Sequence, residues 1–170
     1  MILRLCLVLL PATAGAAQPW GAPALGSALS ALDAGGYVCT ADAARTQCRL
    51  AAGADLSVYG VPARERVLTY RDGLLAQVRI GFDESRFEQV LRACESKLGR
   101  AEIFHERLRA GMGGVFTSRI AVWRQKEAVV LLEQYFERVT RSAVSIMPPP
   151  AFEALMAARD RRRVRGVRDL

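Results

Sequence analysis

The sequence predicts an α+β fold: an antiparallel β-sheet built from hairpins, with one main amphipathic helix packed on one face and short N-terminal and C-terminal helices. Three observations support this class. Asp72-Gly73 separates two alternating runs, which is the strongest short hairpin signature. The segment 82–99 repeats apolar residues at helical spacing. Two further runs of β-type composition surround Gln125-Lys126.

The first 17 residues have the pattern of a secretory signal peptide. Arg4 precedes a short apolar run, Pro11 breaks that run, and small residues follow. The run is too short to span a bilayer, which needs about 20 residues. We therefore expect cleavage after Ala16 or Ala17 and a periplasmic or secreted protein. The predicted division of the chain is a signal peptide at 1–17, a single α+β domain at 18–147, and a proline-rich link with a basic C-terminal helix or tail at 148–170.

The next segment carries two of the cysteines. A short helix capped by Ser27 is expected to end before two strands around a turn at 42–45. In a symmetric register Cys39 lies opposite Cys48, within the separation that a disulfide tolerates, and export favours the bond. Closing this loop would contribute roughly 3 kcal/mol. A swapped pairing of Cys48 with Cys94 is the alternative.

The Asp72-Gly73 hairpin decides which side chains share a face. A two-residue loop places Thr69 opposite Ala76 and Val67 opposite Val78. Arg66 and Arg79 would then lie together on the other face, beside Leu68, Tyr70 and Leu75. A short strand is expected at 56–59. The candidate contact residues that follow are Tyr59, Arg66, Tyr70 and Arg79.

The main helix follows this hairpin directly. Asp83 is the expected N-cap, and Gly99 ends the helix. Its apolar stripe includes Phe87, Val90 and Cys94, so Cys94 is expected to be a small buried hydrophobe. The segment 101–118 shows no clean period, and the glycines at 111–114 predict a flexible loop.

The remaining β-type runs complete the predicted sheet. Trp123 and Val122 should point to opposite faces of one strand. The segment 127–136 is assigned as a strand, although a helix remains open because short apolar runs do not distinguish the two. A last strand is expected at 139–147.

The C-terminal segment concentrates the positive charge. A helix from Pro150 carries an apolar side, and the stretch 159–169 adds six arginines and two aspartates to a chain of formal net charge +7. Arginines suit the negative end of the helix dipole, so a solvated basic end is one interpretation. Anionic lipid is the alternative partner, and export disfavours nucleic acid. The basic tail comprises Arg159, Arg161, Arg162, Arg163, Arg165 and Arg168.

Residue types that carry catalysis are sparse. With one histidine and no clustered ligand spacing, the sequence predicts neither a metal site nor a cofactor. A hydrolase would have to use His105 with a serine or with Cys94. The sequence therefore favours a protein without catalytic chemistry.

The order of elements over 25–147 resembles that of small uncharacterised exported α+β proteins of Gram-negative bacteria. The segments that carry the resemblance are the cysteine hairpin, "FDESRFEQVLRACESKLGR" and the tryptophan strand "AVWRQKEAVVLLE". The resemblance implies a small periplasmic domain and places no functional residue. The leading hypothesis is an exported binding or interaction module for an unknown envelope protein or ligand. The alternatives are an envelope factor held by its basic C-terminal helix and the His105 hydrolase.

Overall fold

The computed structural model describes residues 20–33, 35–50, 56–109 and 114–168, with the backbone alone at 109 and 162–168. Ten strands and two α-helices follow one another along these ranges. The strands are β1 (Tyr37–Ala41), β2 (Thr46–Leu50), β3 (Ser57–Val58), β4 (Val61–Pro62), β5 (Glu65–Arg71), β6 (Leu74–Asp83), β7 (Glu102–Arg109), β8 (Val115–Arg124), β9 (Val129–Glu133) and β10 (Arg141–Met147). The helices are α1 (Phe87–Leu98) and α2 (Pro149–Arg168).

Eight strands form one antiparallel sheet in the order β1-β2-β5-β6-β10-β9-β8-β7, and β3 pairs with β4 as a separate small hairpin. Within each half of the sheet, strands pair with the next sheet strand along the chain, and β2 reaches β5 past the β3–β4 hairpin. The helix α1 carries the chain from β6 to the far edge at β7, and β10 then returns to pair with β6. The β6–β10 pair therefore joins the two halves.

The first face of the sheet carries α1 and the main core. Phe87, Val90 and Cys94 are buried on the helix, as the apolar stripe predicts. The helix ends at Gly99, whose positive φ of 85° suits glycine, and the Gly99 carbonyl accepts a hydrogen bond from the Trp123 indole at 2.8 Å. This hydrogen bond fixes the C-terminal end of α1 relative to strand β8.

The second face carries α2. Phe152 of this helix is buried with Ile120, Val122, Leu131 and Met147 from β8, β9 and β10. This helix starts directly after β10 and lies back across the strand it has just left. One half of the second face, over β8, β9 and β10, is therefore covered, while the half over β1, β2, β5 and β6 is not covered by α2.

An antiparallel sheet with one main helix on one face is confirmed. The short terminal helices are not. Near the N-terminus the structure shows a three-residue 3-10 turn, Leu29–Ala31, and the C-terminal helix is 20 residues long rather than short. Packing holds the first turns of this helix, because Phe152 is buried on the second face and Leu155 and Met156 pack beside it.

The β5–β6 hairpin contains a β-bulge. The predicted register is correct next to the turn, at Tyr70 and Arg71, and wrong for the rest of β5, from Thr69 back to Glu65. Asp72-Gly73 forms the expected two-residue turn, but Ala76 is an extra residue in β6. Leu75 and Val78 are three residues apart, and the bulge lets both reach the first face. The predicted pairs Thr69–Ala76 and Val67–Val78 are replaced by Thr69–Gln77 and Leu68–Val78.

The bulge also separates two arginines that the sequence placed on a shared face. Arg66 lies opposite Ile80 on the first face, beside Leu68, whereas Arg79 lies opposite Val67 on the second face. The predicted proximity of the two guanidinium groups is therefore wrong. The physical reason is that the strand buries its leucine and tyrosine positions in the larger core.

Two other expectations change, and one is confirmed. The strand expected at 56–59 is the hairpin β3–β4, with a Tyr59-Gly60 turn in which both residues have positive φ. The segment after α1, to which the sequence assigned no element, is the edge strand β7. The strand assigned within 127–136 is confirmed at Val129–Glu133, and the helix alternative is excluded. The predicted signal peptide and its cleavage site lie outside the described residues.

The predicted disulfide is confirmed. Cys39 lies opposite Cys48 in the β1–β2 hairpin and is bonded to it, and Cys94 is a buried free thiol. The swapped pairing of Cys48 with Cys94 is excluded. Among the helices of the described ranges, none is both long enough and apolar enough to cross a membrane.

Candidate functional site

The half of the second face that α2 leaves uncovered is the strongest candidate for a binding surface, and we call it the open half. Antiparallel register places two rows of side chains on it. The first row is Thr40, Gln47, Thr69 and Gln77. The second row is Val38, Arg49, Val67 and Arg79. Neutral hydrogen-bonding groups and arginines therefore dominate this surface.

A groove runs along the boundary between the open half and α2. It has a volume of about 340 Å³ and is lined on the sheet side by Thr69, Arg71, Ala76 and Gln77. The wall from α2 is apolar and comes from Ala151, Ala154 and Leu155. The bulge forms this site, because it turns both Ala76 and Gln77 toward the groove. The sequence signal for it is the three-residue spacing between Leu75 and Val78.

Charges on the open half are partly paired. Arg49 donates to the Glu65 carboxylate at 2.7 Å, and Arg141 lies 3.9 Å from the same carboxylate. The Arg79 guanidinium stacks 4.8 Å above the Phe136 ring. The stems of Arg49 and Arg79 flank Val67 in the register, so Val67 is buried on a face that α2 does not cover.

Arg159 holds α2 to the sheet and is not part of a free tail. Its guanidinium bonds to the buried Glu133 carboxylate and lies 3.8 Å from Glu106. Burial raises the pKa of Glu133 above its usual range, while the charge of Arg159 acts in the opposite direction. Of the other predicted tail residues, Arg161 is exposed on α2. The side chains of the remaining four lie outside the described part of the chain.

Arg66 and Tyr70, two of the predicted contact residues, lie inside the protein. Arg66 is 7% exposed and Tyr70 is 1% exposed. The Arg66 guanidinium donates to the carbonyls of Trp20 and Gly21 and to the Tyr37 hydroxyl. Its role in the fold is to fasten the N-terminal segment to the first face, and neither side chain can meet a ligand from solvent.

The other two predicted contact residues are more accessible but lie apart. Tyr59 is half-buried in the β3–β4 turn, and its ring centroid lies 4.5 Å from that of Trp20. Arg79 lies half-buried on the open half. Of the four predicted contact residues, only Arg79 belongs to the surface described above.

A smaller cavity of about 160 Å³ opens on the first face. Its lining is mostly apolar and includes Trp20, Pro23, Val78 and Ile146, with the exposed Glu127 as its charged member. It lies between the N-terminal segment and the β8–β9 turn. Glu127 is the one ionisable side chain in its lining, so the cavity does not bring together two groups that could act as general acid and general base.

The residues of the hydrolase hypothesis lie in different surroundings. Burial raises the pKa of the Cys94 thiol to about 12, so the thiolate needed for attack is scarce at neutral pH. Burial likewise raises the pKa of the Tyr59 hydroxyl to about 12, and the nearby Cys94 thiol contributes to the rise. His105 is exposed on the edge strand β7, opposite Arg119. No His, Cys, Asp or Glu cluster suited to a metal occurs among the described residues.

Comparison with known proteins adds no assignment. No family model, curated protein or solved structure matches this chain. The open half and its groove are therefore interpreted from their own chemistry.

Proposed function

We propose that this protein is an exported binding module and that its ligand contacts the open half of the second face. The observation that carries the proposal is that α2 covers only half of that face and leaves a groove of about 340 Å³ along its edge. Ligand sites are usually concave clefts with apolar walls and a few well-placed polar groups, and this groove has both. The Cys39–Cys48 disulfide supports export, because such bonds persist in oxidising compartments.

The chemistry of the groove suggests the class of ligand. Thr69, Gln77 and Arg71 line the groove and offer neutral hydrogen-bonding groups and a positive charge. Arg79 adds a second positive charge on the adjoining open half. Neither arginine forms a salt bridge with a carboxylate of the described residues. A guanidinium that forms no salt bridge suits a carboxylate on a ligand, and the stacking of Arg79 on Phe136 leaves its N–H groups free to donate in the ring plane. We therefore propose an extended acidic ligand, such as a peptide segment rich in Asp and Glu.

Arg71→Glu is expected to weaken binding of an acidic peptide at least ten-fold, because it replaces an attractive charge at the groove with a repulsive one. The measurement is a titration of the isotope-labelled protein with an oligoglutamate peptide, followed by amide chemical shifts. Shifts should centre on β5, β6 and the first turns of α2.

Arg92→Glu is the matched control. Arg92 is an exposed arginine of α1, on the first face, and the substitution changes the net charge equally. It should change the affinity less than two-fold at moderate salt, where long-range charge effects are screened. Equal losses in the two variants would show that only net charge matters, and the proposal would be wrong.

A second candidate function is attachment to an anionic membrane surface through α2. The observation that favours it is the division of this helix: Phe152 and Arg159 bind the sheet, and the segment that follows carries most of the tail arginines. Truncation after Asp160 keeps the Arg159 anchor and removes the segment beyond it. Each basic residue near such a surface contributes about 1 kcal/mol.

The truncated protein is expected to lose most of its co-sedimentation with vesicles containing phosphatidylglycerol while its unfolding midpoint changes little. Vesicles of phosphatidylcholine alone are the control for charge. Undiminished sedimentation of the truncated protein would remove this candidate and leave the groove proposal intact.

A further inference from the structure

Among the described residues, no strand pairs with the outer side of β1, which is therefore an open sheet edge. β1 pairs only with β2 among the described strands. Its sequence, YVCTA, contains no charge, proline or glycine, and Val38 is 71% exposed. Natural sheets usually protect their edges with charged residues, proline or bulges, because an open edge can pair with another strand.

The register shows which backbone groups point outward from β1. The amide of Asp42 donates to the Arg45 carbonyl, and in an antiparallel pair the bonded residues alternate along the strand. Cys39 and Cys48, with Cα atoms 4.0 Å apart, match the close spacing of a non-bonded pair. The N–H and C=O groups of Tyr37, Cys39 and Ala41 therefore point away from β2.

The opposite edge of the sheet is different. β7 carries Glu102, Glu106 and Arg107 along its length. In an antiparallel pair related by a two-fold axis, the residue at the axis lies opposite the same residue of the other copy. The residue before it then lies opposite the residue after it in the other copy. Self-pairing of β7 about Glu106 or Arg107 would bring like charges together, whereas β1 has no charge to oppose.

We propose that two copies of this protein associate by pairing their β1 strands antiparallel about a two-fold axis at Cys39. Tyr37 pairs with Ala41 of the partner subunit, and Val38 lies beside Thr40 of the partner subunit on the second face. The outward backbone groups of each strand gain partners, and the exposed Val38 side chain is covered. Because β1 carries no charged residue, antiparallel pairing with its own copy brings no like charges together. A second copy of this chain is therefore the partner that we propose.

Pairing of the two β1 strands would join the open halves of the two copies into one surface. The axis is perpendicular to the sheet, so both second faces lie on the same side of the extended sheet. The two open halves join across β1 and form one trough with an α2 helix on each side. The association rests only on the β1 edge and does not depend on the ligand proposed for the groove.

Val38→Lys is the test variant, because a lysine on an edge strand opposes pairing. The full mature chain is followed by sedimentation velocity up to millimolar concentration. We expect a concentration-dependent dimer, weakened at least ten-fold by Val38→Lys. Val115→Lys is the matched control: Val115 is 52% exposed at the start of β8, and its replacement should leave the dimer unchanged.

Amide hydrogen exchange provides a readout that needs no variant. The Cys39 amide, which points outward, should exchange more slowly as the concentration rises, while the Thr40 amide, already bonded to β2, should not change. A protein that stays monomeric at every concentration would overturn the proposal. A dimer sensitive to Val115→Lys and not to Val38→Lys would also overturn it, and neither result would affect oligoglutamate binding to the groove.

Discussion

Arg159→Ala is expected to lower the free energy of unfolding by about 3 kcal/mol, because removing one partner of a buried ion pair leaves the other charge uncompensated. The partner is Glu133, which is 7% exposed and whose carboxylate bonds to Arg159. Glu106 loses the same neighbour. Urea unfolding at neutral pH measures the loss, and α2 should be the first element to exchange its amides.

The loss should depend on pH. The folded-state pKa of Glu133 is raised above its usual value, so the folded protein holds this proton more tightly than the unfolded chain does. Stability from this group therefore falls as the pH rises between the ordinary carboxyl pKa and the raised one. Without Arg159 the folded-state pKa rises further. The deficit of the variant should shrink in acid, where Glu133 is protonated in both proteins.

Arg161→Ala is the control for Arg159→Ala. Arg161 lies on the same helix, is exposed, and its loss should cost less than about 0.5 kcal/mol, as surface substitutions usually do. If the two variants lose equal stability, or if the deficit of Arg159→Ala does not change with pH, Arg159 does not anchor α2 through Glu133.

The double substitution Cys39→Ala with Cys48→Ala is expected to cost about 3 kcal/mol, because the disulfide closes a loop of nine residues' separation in the unfolded chain. Reductant should lower the free energy of unfolding of the wild-type protein by a similar amount, seen as a lower unfolding midpoint. The β1 strand should then fray first, since β1 has the sheet on only one side.

Cys94→Ala is the matched control, because it removes a buried sulfur without removing a cross-link. Its expected cost is about 1 kcal/mol from lost packing. A reductant that leaves the midpoint unchanged would contradict the stabilising role of the disulfide and would weaken the case for export.

Local patterns predict the turns of the β1–β2 and β5–β6 hairpins and the apolar side of α1. The expected Asp83 N-cap of α1 is wrong, because Asp83 precedes a short 3-10 turn without a side-chain cap bond and α1 begins after Arg86. Asp72-Gly73 turns as expected, and the pairing of Cys39 with Cys48 follows from the symmetry of their hairpin. The buried side of α1 follows from its helical spacing. These features depend on interactions between residues that are close in the chain, where turn chemistry and periodicity carry the information.

The groove was not predicted, because it requires contacts between distant segments. It forms where β5 and β6 meet α2, roughly eighty residues apart in the chain, and the extra residue Ala76 shapes it. The position of Arg159 illustrates the same limit. In the sequence it opens a run of arginines, whereas in the structure it is the one that meets Glu133 and Glu106.

The sequence alone indicated the turns at 42–45 and at Asp72-Gly73, favoured the bond between Cys39 and Cys48, and determined which side of α1 is buried. The tertiary structure decided that Arg66 is internal, that Arg159 anchors a long helix, and that this helix leaves half of one sheet face uncovered. The physical reason is that an arginine or a sheet face acquires its role from the partners that packing brings to it, and those partners come from distant parts of the chain.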